Sequence, residues 1–181
     1  MLRYWMPSIA LAVAVTGMAI AAVQSGLQVG ERAGSFNVKD ITGPNKGKTL
    51  CYRCYYGSRP CVAIFGREIT DNLAALVKQV DEQVDKNQDK YMCAFFVLLA
   101  EDKDAAGKLQ ELAKKQKIKN VPLTVFDDAG GPPEYKIAKD AEVTVLLLRK
   151  DAVTVNHSFG KGQLDKKGID AIVADTSKIL E

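Results

Sequence analysis

Two short stretches of the chain are apolar at nearly every position, Cys61-Val-Ala-Ile-Phe65 and Met92 to Ala100. Unbroken apolar runs of this length read as strands covered on both faces; a strand with one wet face would alternate. Between them Leu73, Leu76, Val77, Val80 and Val84 recur at helical spacing, with Thr70 or Asp71 placed to cap the first turn. The order then repeats. Ala105, Leu109, Leu112 and Ala113 mark an amphipathic helix with its lysines outside, and Val121-Pro-Leu-Thr-Val-Phe126 reads as a third strand. Pro122 sits at its beginning, where a missing N–H is tolerated. After the loop Asp127 to Pro133, Val143 to Leu148 and Val153 to Phe159 form a hairpin around Arg149-Lys-Asp-Ala152, and Ile169, Ile172, Val173 and Ile179 mark a last helix. Upstream, Phe36 to Ile41 alternates ahead of the turn signal Gly43-Pro-Asn-Lys-Gly47, which gives a small N-terminal hairpin. The fold class that follows is α/β: a mixed central sheet in a three-layer sandwich, with helices on both faces. There is no internal repeat and no second domain.

Composition changes this picture little. The 181 residues are 47% hydrophobic and 26% charged, ordinary for one globular domain. Lys and Arg number 25 against 22 Asp and Glu, a net charge of +3. With the lysines spread along helices and no basic patch carrying interleaved aromatics, nucleic acid is not an expected partner.

The N-terminus adds more. Arg3 precedes an apolar run from Ile9 to Val23, and Ala19-Ile-Ala21 fits a small-x-small cleavage site. Residues 1–21 therefore read as an export signal, residues 22–29 as a linker and residues 30–181 as the domain. The apolar run is shorter than the roughly 20 residues that span a bilayer comfortably. Retained, it would be a membrane anchor, and only then is a membrane a partner. Either way the domain is expected in an oxidising compartment, exported to the periplasm, envelope or medium, where disulfides persist.

Four cysteines remain in the domain: Cys51, Cys54, Cys61 and Cys93. Cys51-Tyr-Arg-Cys54 has the spacing of a thiol–disulfide redox pair, placed ahead of the first apolar strand. Three readings stand. A structural disulfide would tie down a loop. A redox pair would exchange with partner proteins, one thiolate attacking and the other resolving the mixed disulfide. Arg53, with Arg59 and Lys48, would then favour the thiolate, and Tyr52, Tyr55 and Tyr56 would offer a flat apolar contact. A metal clip would need Cys51, Cys54, Cys61 and the single histidine, His157, in a tetrahedral zinc or a softer copper site. Cys61 and Cys93 read as buried free thiols packed like small apolar side chains. No cofactor is expected.

The order of elements resembles the thioredoxin fold in its redoxin form, shared by peroxiredoxins and exported thiol–disulfide oxidoreductases. Gly30-Glu-Arg-Ala-Gly-Ser-Phe36 is similar to that superfamily's opening Gly-x-x-Ala-Pro-x-Phe, with Gly34 in place of proline. Ile118 to Phe126 and Val143 to Leu148 resemble the strands flanking its substrate-facing loop. The resemblance implies a catalytic cysteine after the first central strand, at a helix start. The corresponding Phe65 to Asp71 has none, and the cis-proline that the superfamily places at about Val143 is missing. The chain is thus expected to lack the usual active-site cysteine position, to have no peroxidase activity, and to be either an oxidoreductase using Cys51 and Cys54 or a non-catalytic binding protein with a structural disulfide there.

Overall fold

The computed structural model describes residues 23–181; the expected export segment lies outside them. A single seven-stranded sheet forms the centre. Its strands are β1 (Val38–Asp40), β2 (Thr49–Leu50), β3 (Cys61–Gly66), β4 (Cys93–Leu99), β5 (Leu123–Phe126), β6 (Ala141–Arg149) and β7 (Ala152–Gly160). Their order across the sheet is β2-β1-β5-β4-β3-β6-β7. β3, β4 and β5 run parallel, while β6 and β1 close the two sides antiparallel. The helices are α1 (Tyr52–Tyr56), α2 (Asp71–Lys86), α3 (Ala105–Gln116) and α4 (Lys166–Asp175).

The alternation of side chains along β3 and β4 divides the core in two. Val62, Ile64, Ala94, Phe96 and Leu98 face α2, α3 and α4 through Leu76, Val80, Leu109 and Ile172. Cys61, Ala63, Phe65, Cys93, Phe95 and Val97 face the other way, against α1, Tyr135 and the N-terminal segment. Both faces are therefore dry, which is why these strands carry no polar alternation. Helices lie on both faces as expected, but unevenly: three long ones on one side, and on the other the five-residue α1.

Thr70 caps α2 as its sequence suggested, its side chain accepting the Leu73 N–H. The expected last helix is α4 with a 3₁₀ turn, Thr176–Ile179, continuing from it.

The segment 23–29, expected as a linker, is instead part of the domain. Ser25 and Leu27 are buried. Ser25 Oγ bonds Thr144 Oγ1 at 2.6 Å, and the Asn156 side chain donates to the carbonyls of Ser25 and Leu27 at 2.8 Å each. Polar partners on β6 and β7, rather than an apolar pattern of its own, hold it down.

Asp81 on α2 positions the start of β5. It is buried, and its Oδ1 accepts the backbone N–H groups of Lys119, Asn120 and Val121 at 2.6–3.0 Å. Asp81→Ala would leave these donors without their acceptor, at about 1–3 kcal/mol for a buried group left unpaired. Urea unfolding should show a loss of about 1–3 kcal/mol, and a change below about 0.5 kcal/mol would mean the loop holds itself.

Candidate thiol–disulfide site

Cys51 and Cys54 are joined in a disulfide, with Cα atoms 5.2 Å apart. The bond opens a helix. Cys51 is the N-cap of α1, with an extended backbone, and its Sγ accepts the Cys54 N–H at 3.0 Å. A sulfur takes the place usually held by a serine or aspartate oxygen. Gly57 closes the helix, its N–H donating to Arg53 O at 3.2 Å in a left-handed conformation (φ 61°) that suits glycine.

One turn of helix has little stability of its own. Its position comes from two aromatic anchors. Tyr52, 1% exposed, stacks on Phe95 at 6.1 Å between centroids, and its hydroxyl donates to the buried Asp40 at 2.6 Å. Tyr56 packs against Tyr52 and Phe95, lies near Cys61 and Cys93, and reaches Ala94 O at 3.4 Å. Burial first, and for Tyr52 also its bond to Asp40, pushes both phenols up, so they stay protonated donors. With 52, 53 and 56 turned inward, Cys54 and Tyr55 face solvent and Cys51 is half-buried. Arg59 lies over the Tyr56 ring at 5.4 Å and donates to Tyr91 O at 2.8 Å.

Arg53 is placed differently from its expected role beside a thiolate. It is buried, with its guanidinium paired to Asp151 and donating to Gly57 O at 2.7 Å. That ion pair ties α1 to the turn between β6 and β7.

Cys61 and Cys93 are free, 2% and 3% exposed, and directly paired across β3 and β4 on the α1 side. Cys93 Sγ donates to Pro60 O at 3.3 Å. Burial, and next the hydrogen bond with Cys93, pushes the Cys61 thiol well up, so it remains protonated.

The proposed metal set does not converge. Cys51 and Cys54 are spent on each other, and Cys61 faces α1. His157 lies on β7 against α4, with Nε2 3.0 Å from Asp175 Oδ2. Among the described residues no group of three or more His, Cys, Asp or Glu side chains is arranged to hold a metal ion. A cleft of about 430 Å³ lies where β3 and β4 end, between α2 and α3, beside Arg67, Asp71, Asp102 and Lys108. It contains no thiol, and two of its charges, Lys108 and Asp102, pair with each other.

No family model matches the sequence, and no curated protein does. Solved structures do. A Chlorobium tepidum structure named for the thiol:disulfide interchange protein DsbE aligns over 86% of this chain and 99% of its own, at 13% identity and TM-score 0.67. The fold is thioredoxin-like. A secreted Mycobacterium tuberculosis disulfide oxidoreductase aligns over 79% of this chain and 95% of its own, at 12% identity and TM-score 0.58. Peroxidoxin BcpB from the same organism aligns over 84% and 98%, at 15% identity and TM-score 0.60.

Within this thioredoxin-like fold, the expectation that the chain lacks the active-site cysteine position is corrected. A Cys-x-x-Cys pair at disulfide distance opens a helix, the arrangement in which that expectation found no cysteine. Tyr-Arg-Cys-Tyr-Tyr is too short to display a helical period, so in the sequence this stretch reads as a loop.

Burial of the Cys61 thiol makes stability depend on alkaline pH. A group whose folded pKa lies above its unfolded value contributes stability below the unfolded value, near 8.5 for cysteine, and loses it as pH rises through the folded one. Stability should therefore fall above about pH 8.5, by up to about 1.4 kcal/mol per pH unit from this group. Urea midpoints at about pH 7 and about pH 10 should differ less in Cys61→Ala than in the parent; equal alkaline slopes would show that Cys61 is not the source.

Proposed function

We propose that the chain is an exported thiol–disulfide oxidoreductase of thioredoxin-like fold, working through Cys51 and Cys54. The observation that carries this reading is a Cys-x-x-Cys disulfide at the opening of a solvent-facing helix turn, with one sulfur-bearing residue exposed. Exchange requires a reachable sulfur and a second thiol close enough to resolve the mixed disulfide. Cys54 and Cys51 supply these. The partners are other proteins carrying cysteines, met at the surface where Tyr55 is 61% exposed. The expected N-terminal export signal, residues 1–21, and a disulfide standing formed both suit an oxidising compartment. A secreted disulfide oxidoreductase of the same fold offers a precedent.

Peroxidase chemistry fits less well. It needs a reachable thiolate, and the two cysteines outside the disulfide are buried, with the Cys61 thiol held protonated.

A second reading is supported by one observation. Because Cys51 Sγ caps α1, the bond also serves as a local staple, the role of a non-catalytic binding protein. The reduction potential separates the two. Equilibration in glutathione buffers with thiol trapping should give a value of roughly −120 to −270 mV, and the full chain should reduce an insulin-type protein disulfide with dithiol as electron source. Replacing both cysteines by serine should abolish that turnover. A potential below about −300 mV with no turnover would leave the staple.

A further inference from the structure

We propose that the surface beside the disulfide selects partners by charge. Arg59, set between the rings of Tyr55 and Tyr91, docks a protein segment carrying an aspartate or glutamate within a few residues of its cysteine. This rests on the exchange reading above and names the class of partner for that same site.

Among the described residues three large apolar side chains are mostly exposed, Val29, Tyr55 and Tyr91, and two of them meet on this surface. Tyr55 directly follows the exposed Cys54. Its ring meets Tyr56 edge-on at 5.5 Å between centroids, and the Arg59 guanidinium lies over the Tyr56 ring at 5.4 Å. Arg59 Nε in turn donates to Tyr91 O at 2.8 Å. Cys54, Tyr55, Arg59 and Tyr91 are thus linked contact by contact into one patch. Tyr91, 70% exposed, is held there with φ 57°, a left-handed conformation that crowds any residue with a Cβ. Exposed tyrosine rings offer a partner contact area while giving up little side-chain freedom.

The charge of the patch leans positive. Arg53 is paired with Asp151, but Arg59 and Lys90 have no carboxylate partner among the described residues, and Asp89 on the same turn pairs with neither. Arg59 is fixed at two points, by the Tyr91 carbonyl and by the Tyr56 ring, so its planar fork is set before a partner arrives. One N–H is spent on Tyr91, and the remaining donors match a two-oxygen acceptor. In a protein segment that acceptor is an aspartate or glutamate carboxylate, whereas a lysine-rich segment would be repelled.

Three peptides of equal length test this on the reduced full chain. Each carries one cysteine as its mixed disulfide with thionitrobenzoate, flanked by glutamates, glutamines or lysines. A protein thiolate attacks the peptide sulfur, and thionitrobenzoate leaves with the electron pair of the broken bond. The second protein thiolate then displaces the peptide thiolate, which takes a proton from solvent, and Cys51–Cys54 re-forms. The protein is oxidised by two electrons and the probe reduced by two. The chain with both Cys51 and Cys54 replaced by serine serves as the blank for Cys61 and Cys93. The glutamate peptide should release thionitrobenzoate at least about tenfold faster than the lysine peptide at low salt. That ratio should shrink toward one by about 0.5 M salt. Arg59→Gln should lower the ratio at least about threefold; a ratio, unlike either rate, is untouched by a change in thiol reactivity or folded fraction. Tyr55→Ala and Tyr91→Ala should slow all three peptides by about threefold or more. A low-salt ratio below about twofold, a ratio unchanged in Arg59→Gln, or full rates in both tyrosine variants would overturn the proposal while leaving exchange intact. No release above the blank from any peptide would sink the exchange reading and the proposal with it.

Discussion

A helix of five residues cannot hold itself, so α1 is where Tyr52 and Tyr56 put it. Both rings pack against Phe95 on β4, and the Tyr52 hydroxyl donates to Asp40, whose carboxylate also accepts the N–H groups of Gly43 and Asn45. The carboxylate is fully buried, with three donors around it. Charge-assisted hydrogen bonds of that kind are stronger than neutral ones, and losing one leaves a buried anion under-served. The seat fixes rotation as well as position. With residues 52, 53 and 56 committed to the interior, residues 54 and 55 have only the solvent side. The outward direction of Cys54 thus follows from where the tyrosines go, not from anything the cysteines do.

Arg53 extends that seat across the sheet. Its guanidinium pairs with Asp151, in the left-handed turn between β6 and β7, and Ala33 N–H donates to the carbonyl of the same Asp151 at 2.9 Å. α1, the last hairpin and the N-terminal segment therefore meet at one aspartate. Arg53 is buried while Asp151 keeps some water and also pairs with Arg32, so the pair offers weak net stability, yet removing Asp151 would strand the buried guanidinium. It therefore serves to fix α1 more than to stabilise it. This also accounts for why Arg53 looked like a thiol neighbour in the sequence. Adjacency along the chain put it beside Cys54, but helical rotation carries its side chain to the opposite face.

The elements with long, strong patterns were legible. β3 and β4 could be read because two dry faces leave unbroken apolar runs, and α2 because Leu73 to Val84 keep one helical stripe. Pairing Cys51 with Cys54, and leaving Cys61 and Cys93 as thiols, was legible too, since spacing and burial pointed the same way. What failed was held by tertiary contacts. Residues 23–29 carry no strand pattern, and Thr144 and Asn156 tie them to the sheet. α1 is shorter than any periodicity can report, so in the sequence the cysteine pair reads as part of a loop with no helix start. His157 and Cys61, grouped as metal ligands, proved to face opposite sides of the sheet; strand parity separates them, and parity depends on register that a sequence does not print.

Fold and exchange place different demands on the four cysteines, and the architecture keeps them apart. A disulfide spanning three positions closes so short a loop that its entropic contribution is only on the order of 2 kcal/mol. The tyrosine seat, not the bond, carries α1, so opening the disulfide would leave Tyr52 and Tyr56 where they are. The pair can change state without asking the domain to unfold. Cys61 and Cys93 meet the opposite requirement. They lie beneath Tyr56 at the start of two parallel strands, and the Cys61 thiol is held protonated by burial, which suppresses the thiolate that exchange needs. Scrambling between the two sets would require α1 to lift, at the cost of the Tyr52–Asp40 bond and the Arg53–Asp151 pair together. The same aromatic seat that presents Cys54 outward therefore also shields the buried thiols from joining the reaction.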